Sequence, residues 1–442
     1  MQCPKCQARI DDDTIFCGNC GQQIAPLQAR GATMNYASDE QSTSQGAHAR
    51  ISPPRFTPGT PTQPAHRSSE TPAPATLPGI ASSRQRGRPA LLILAVGLLV
   101  LLAGGTFLTI GLLKNRQAVS TGGLASNASG QVSFFDGPNG SDGTDALRIT
   151  ISGLNALSAG SRYDAWLVDE ANEHTTALGA LSAQGANFTL SFTGNGKNGQ
   201  PGTNLLGSGN VVEVTQEQGS VQLPTGKVLL SAHFPPAAFV HVRHLLFSFP
   251  TTPGKIGLLV GLLEQTRLLN AQALALQSVA GSQNTTAVRC IAQSIIDISE
   301  GPQGAHYQPL PATCGVSLPT GDGFGILGKN GYANTAATHA SLAATQTDSN
   351  STIRLHASEV EVGTTNITAW VTTIDQDALT LLNNPSSQAS VSAISALADH
   401  AFHGVDSNGN GQIESIAGEE GAATAYLRGQ LMATLTLIPL AN

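Results

Sequence analysis

The strongest constraint in this chain is Ala90–Leu113, ALLILAVGLLVLLAGGTFLTIGLL, which carries no charged residue over 24 positions. At ~1.5 Å rise per residue, a helix of that length spans roughly 36 Å and crosses a ~30 Å hydrocarbon core with some tilt. The stretch is too long, and too far from the N-terminus, for a secretory signal peptide. A buried core helix is the alternative, but 24 apolar positions without a polar face rarely serve that purpose. One transmembrane helix over 90–113 is therefore expected, and it divides the chain into two unequal parts.

Charge divides at the same place. Before Ala90 there are 9 Lys/Arg against 6 Asp/Glu, whereas after Arg116 there are 11 against 23. An acidic C-terminal part repels polyanions, so nucleic-acid binding is not expected there. Cysteines divide likewise: four lie within the first 20 residues, and Cys290 and Cys314 lie far beyond the apolar stretch.

Cys3-Pro-Lys-Cys6 and Cys17-Gly-Asn-Cys20 are two C-x-x-C knuckles separated by ten residues. Such knuckles place four thiolates around one Zn²⁺, and so short a segment draws its folding energy from the metal. A pair of disulfides or a redox motif are the alternatives. Residues 1–24 resemble the zinc-ribbon found at the N-terminus of many bacterial membrane proteins, which implies a structural or protein-contact role. Residues 25–89 are rich in Pro, Ser and Thr and poor in aliphatic side chains. They cannot bury enough apolar surface to offset chain entropy and read as a disordered linker.

Three arginines precede the apolar stretch and two basic residues follow it, so flanking charge favours an N-in orientation only slightly. A thiolate zinc site suits a reducing compartment and a distal cysteine pair suits an oxidising one. The expected arrangement is a single-pass cell-membrane protein. Its zinc-ribbon is cytoplasmic, with Cys3, Cys6, Cys17 and Cys20 as ligands, and residues 117–442, which include most of a spacer at 114–130, are extracytoplasmic.

Residues 131–234 carry strand patterns. Leu147, Ile149 and Ile151 alternate with Arg148, Thr150 and Ser152; Phe188, Leu190 and Phe192 alternate with Thr189 and Ser191. Period-two patterning between Gly/Asn turns predicts an antiparallel β-sandwich, with strands near 131–136, 145–152, 163–169, 186–193, 211–217 and 227–233. Tyr163-Asp-Ala-Trp166-Leu-Val168, Leu178-Gly179-Ala-Leu181, Val212-Glu-Val214-Thr215 and Pro224-Thr-Gly226-Lys-Val228-Leu229-Leu230 follow in order. On these residues the segment resembles the C-terminal extracytoplasmic domain of anti-sigma-K factors. The resemblance implies a fold and anti-sigma-like signalling; a zinc-ribbon and linker stand where that family carries its sigma-binding helices.

Residues 235–442 predict an α-helical bundle. Its helical patterns lie near 259–276, 285–299, 333–347, 353–382 with a break at Gly363, 387–402 and 419–437. Three features within it bear on chemistry. Asp406, Asn408, Asn410, Gln412 and Glu414, with Gly411 in sixth place, match the first part of an EF-hand loop. The twelfth place is Ala417, and Glu419 arrives late, so the ligand set Asp406, Asn408, Asn410, Gln412, Glu414 and Glu419 implies weak Ca²⁺ binding. A glycine-rich interhelical turn is the alternative. His241 and His244, like His400 and His403, stand at i,i+3. They are expected to be solvated or capping, with a bundle-core metal or haem site as the alternative. Cys290 and Cys314 are expected to form a disulfide, two buried thiols being the alternative.

No recognised nucleophile motif is present, and no enzymatic activity is expected. The function expected from sequence is membrane-anchored sensing or binding of an unknown extracellular ligand, with a cytoplasmic protein partner for the zinc-ribbon. A metal-binding or enzymatic bundle and a structural or adhesive surface protein are the other readings.

Overall fold

The computed structural model describes residues 124–137, 143–194, 202–282, 284–315 and 318–440. The zinc-ribbon cysteines, the linker and the apolar stretch 90–113 lie outside them. Among the described residues, no helix is long and apolar enough to cross a membrane.

Nine strands form one antiparallel sheet: β1 Leu124–Phe135, β2 Ala146–Leu154, β3 Ser161–Asp169, β4 His174–Ala180, β5 Ser182–Gln184, β6 Asn187–Thr193, β7 Val211–Gln218, β8 Lys227–His233 and β9 Leu435–Pro439. The two alternating segments pair directly, with Leu147 opposite Phe192, Ile149 opposite Leu190 and Ile151 opposite Phe188. Their apolar side chains therefore line one face, as period-two patterning requires. In β3 every residue from Tyr163 to Leu167 is buried. Trp166 lies among them, and its indole N–H donates to Thr215 Oγ1 on β7 at 2.8 Å.

The antiparallel sheet is as expected, but its halves are not separate layers. Strand order is β4-β3-β7-β8-β9-β1-β2-β6-β5, which makes a nearly closed, barrel-like sheet. The C-terminal strand β9 is its keystone. It pairs with β1 through Val132–Leu435 and Gly130–Leu437, and with β8 through Leu230–Pro439 and Ser231–Ile438. The helix expected over 419–437 is thus corrected: it ends at Met432, and the chain returns to the sheet. Leu435 and Leu437 satisfy either pattern. The unpaired edges of β1 and β8 decide between them.

Between β8 and β9 run seven helices: α1 Pro236–Leu246, α2 Leu258–Ala280, α3 Thr285–Glu300, α4 Tyr332–Thr345, α5 Ser351–Asn383, α6 Gln388–His403 and α7 Ala422–Met432. Strands and helices share one apolar core within one compact unit. A polar knot fastens the two layers: Tyr426 Oη and Gln430 Nε2 of α7 each donate to Asp136 Oδ1 at 2.8 Å.

The break expected at Gly363 is absent, and α5 runs through it for 33 residues. A Cβ at Gly363 would lie 2.9 Å from Ala425 Cβ and 3.0 Å from Glu420 Cγ. The glycine serves close helix–helix approach, a requirement indistinguishable in sequence from a helix breaker.

Candidate metal centre

Helix α1 begins at Pro236, whose missing N–H costs nothing in the first helical turn. Asp348, in the turn between α4 and α5, accepts from Ala237 N at 2.7 Å and Ala238 N at 3.1 Å. This carboxylate supplies the N-terminal cap that α1 lacks locally and holds the start of α1 against the end of α4. Arg243 leaves α1 toward the sheet, donating from Nε to Leu206 O at 2.6 Å and lying over the Phe239 ring.

His241 and His244 face α4 and meet His339. All three histidines are buried, with relative exposures of 0%, 3% and 2%. His339 Nδ1 lies 3.0 Å from His241 Nδ1 and 3.2 Å from His244 Nδ1. Phe249 closes over the group, its ring 5.3 Å from that of His244 and 5.0 Å from that of His339. Gln346 Nε2 lies 3.3 Å from His241 Nε2.

The i,i+3 histidines at 241 and 244 are therefore not solvated, and that expectation is corrected. An i,i+3 pair marks one helix face, but tertiary packing decides whether the face meets solvent. Here Asp348 and the alanine-rich α4 bring it inside.

Hydrogen bonding alone satisfies this trio poorly. A neutral imidazole has one proton and one free lone pair at its two ring nitrogens. His339 Nδ1 meets two other Nδ1 atoms with a single proton or a single lone pair, so at most one contact is a full-strength hydrogen bond. Burial, followed by the neighbouring histidines, pushes His339 down to about 2 and His244 down to about 3. Both are neutral at physiological pH, the state in which imidazole ligates a metal without releasing a proton.

The geometry suits a cation. At metal–nitrogen distances of ~2.0–2.1 Å, tetrahedral ligands stand roughly 3.3–3.4 Å apart. The two separations fall a few tenths of an ångström short of that, and ligand atoms of all three residues lie within 4.8 Å of one another. These residues can hold a metal ion.

His339 was missed in the sequence, yet a signal for it exists. Ala333, Ala336, Ala340 and Ala343 form the buried stripe of α4, and His339 falls within it. A histidine on a stripe of small residues has both the burial and the room to reach across.

The other sequence candidates occupy different places. His403 is exposed and bonded to Asp399 Oδ1 at 2.7 Å, while His400 lies edge-on to Trp370. Cys290 and Cys314 are joined in a disulfide with Cα atoms 5.4 Å apart. In the 406–419 loop, Asp406 Oδ1 accepts from Gly409 N and Asn410 N, and Oδ2 accepts from Gly411 N at 2.7 Å. Gly411 takes φ 83°, the left-handed conformation that the turn needs. Asn408 and Asn410 donate from Nδ2 to Glu414 Oε2, each at 2.8 Å. Gln412 N donates to Asn410 Oδ1. Glu419 is fully buried and accepts from Ser407 Oγ at 2.8 Å and Glu414 N at 3.2 Å. The zinc-ribbon cysteines lie outside the described residues.

No family model, curated protein or solved structure matches this chain, so the zinc-ribbon and anti-sigma-K resemblances rest on its own residues.

Proposed function

We propose that this protein is a non-enzymatic, membrane-anchored metal-binding module that takes up a transition-metal ion through His241, His244 and His339. The observation that carries the reading is the convergence of the buried His241 and His244 imidazoles on His339 Nδ1, at 3.0 and 3.2 Å. Imidazole ligands suit Zn²⁺, Cu²⁺, Ni²⁺ and Fe²⁺. Two nitrogens near tetrahedral spacing from a third favour Zn²⁺ with one further ligand.

Within this reading the 90–113 helix anchors the unit outside the cell, and the zinc-ribbon faces a cytoplasmic partner. Metal occupancy of the bundle would be the extracytoplasmic signal, in keeping with the resemblance to anti-sigma-K factors. Ca²⁺ in the 406–419 loop would be a separate, weak site, for which Asp406 and Glu414 would exchange the N–H groups they now accept from for the cation.

Metal content of the full-length protein after zinc loading and desalting tests the reading. Wild type should retain one equivalent more than either His339→Gln or His241→Gln. Equal zinc in wild type and in whichever variant keeps the wild-type circular dichroism spectrum would overturn it.

A further inference from the structure

We propose that Glu300, His306 and Asp375 form a second cation site, chemically unlike the histidine trio and suited to a divalent ion such as Mn²⁺. Glu300 ends α3, His306 lies in the loop that follows, and Asp375 projects from α5; ligand atoms of the three lie within 4.8 Å of one another.

The loop is built to hold this position. Glu300 Oε2 accepts from His306 N at 2.6 Å, and Glu300 Oε1 lies 2.7 Å from His306 Nδ1. Asp297 Oδ1 accepts from Gln308 N at 3.1 Å and from Gln293 Nε2 at 2.9 Å. Gln293 Nε2 also donates to His306 O at 3.0 Å. The Cys290–Cys314 disulfide closes the segment containing Asp297, Glu300 and His306.

An ion pair between Glu300 and His306 accounts for those two residues but not for Asp375. Asp375 is 8% exposed, and its Oδ1 is buried without a hydrogen-bond partner. A buried carboxylate oxygen left without a partner is destabilising, and a bound cation removes that penalty.

Two carboxylates and one imidazole prefer a harder ion than three imidazoles do. Oxygen ligands at ~2.0–2.1 Å around octahedral Mg²⁺ stand roughly 2.9 Å apart, and around the larger Mn²⁺ somewhat farther. The 2.7 Å Glu300–His306 contact opens to that spacing with a small shift of an exposed loop residue. His306 has a side-chain exposure of 49%, which leaves a solvent side for bound water.

Mn²⁺ titration of the zinc-loaded full-length protein, followed by electron paramagnetic resonance, tests the site. Wild type should bind a Mn²⁺ ion that Asp375→Asn binds at least tenfold more weakly and His306→Ala about tenfold more weakly. Reduction of the disulfide should weaken it as well, and His339→Gln should leave it unchanged. Asp375→Asn keeps the shape of the side chain and removes its charge, so a wild-type melting profile is the expected control. Mn²⁺ binding that is absent at millimolar concentration, unchanged in Asp375→Asn, or lost only in Glu414→Gln would overturn the proposal. Failure of the histidine site would show in zinc content and not in this titration.

Discussion

His241 Nδ1 and His339 Nδ1 stand 3.0 Å apart in the interior although 98 residues separate them in the chain. The contact joins α1, the first helix after the barrel strands, to α4, and the Asp348 cap on α1 holds the two helices in place. Local sequence puts a histidine on each helix face; the cap and the small residues of α4 make the faces meet.

Metal removal should therefore be felt as lost stability. A ligand at about 100 times its Kd stabilises the folded state by about 2.7 kcal/mol. A chelator that strips the bundle metal should lower the thermal midpoint of wild type by several degrees. The same treatment should shift His339→Gln much less, and differential scanning calorimetry of the two proteins checks it.

The second expectation concerns β9. Deleting residues 435–442 leaves β1 and β8 with exposed backbone edges and uncovers Leu230 and Val132 beside them. Exposed edges template intermolecular pairing. The truncated protein should aggregate or lose cooperative unfolding, as read by size-exclusion chromatography and circular dichroism.

Gly363→Ala sets two effects against each other. Alanine gains about 1 kcal/mol of helix propensity over glycine in α5. Its Cβ, however, would lie 2.9 Å from Ala425 Cβ and 3.0 Å from Glu420 Cγ in a packed interface. Overpacking costs about 1–3 kcal/mol, so the expected net result is destabilisation of up to about 2 kcal/mol in a urea titration.

Glu420 offers a pH readout. It is fully buried, and neither carboxylate oxygen has a partner of hydrogen-bonding geometry. Burial pushes it up to about 7, only partly opposed by the nearby Ser415 hydroxyl and Arg428 guanidinium. The folded state thus holds a proton that the unfolded state releases near pH 4.5. Its favourable contribution is full below that pH and is lost as pH rises through about 7. In chelator-treated protein, Glu420→Gln should be near-neutral at pH 4.5 and stabilising by about 2–3 kcal/mol at pH 8, measured by denaturant unfolding. Equal effects at both pH values would contradict the assignment.

Local pattern carried much of the fold. Leu147, Ile149 and Ile151 face Phe188, Leu190 and Phe192 because alternation puts each set on one side of its own strand, whatever the partner. The helices near 285–299, 333–347 and 387–402 follow from apolar spacing in the same way. Strand β4 escaped because only Leu178 in it is buried, which leaves no alternation to read.

What the sequence by itself determined was the antiparallel strand set over 131–234, the helical run after it, and an i,i+3 histidine pair at 241 and 244. These are properties of single segments, set by side-chain period and chain stiffness. Tertiary structure alone decided that residues 435–439 complete the sheet, that Gly363 is a point of contact and not a break, and that His339 joins His241 and His244. Each of those outcomes depends on a partner distant in sequence. The free energy that selects it is paired edges, close packing or shared burial, which no single segment contains.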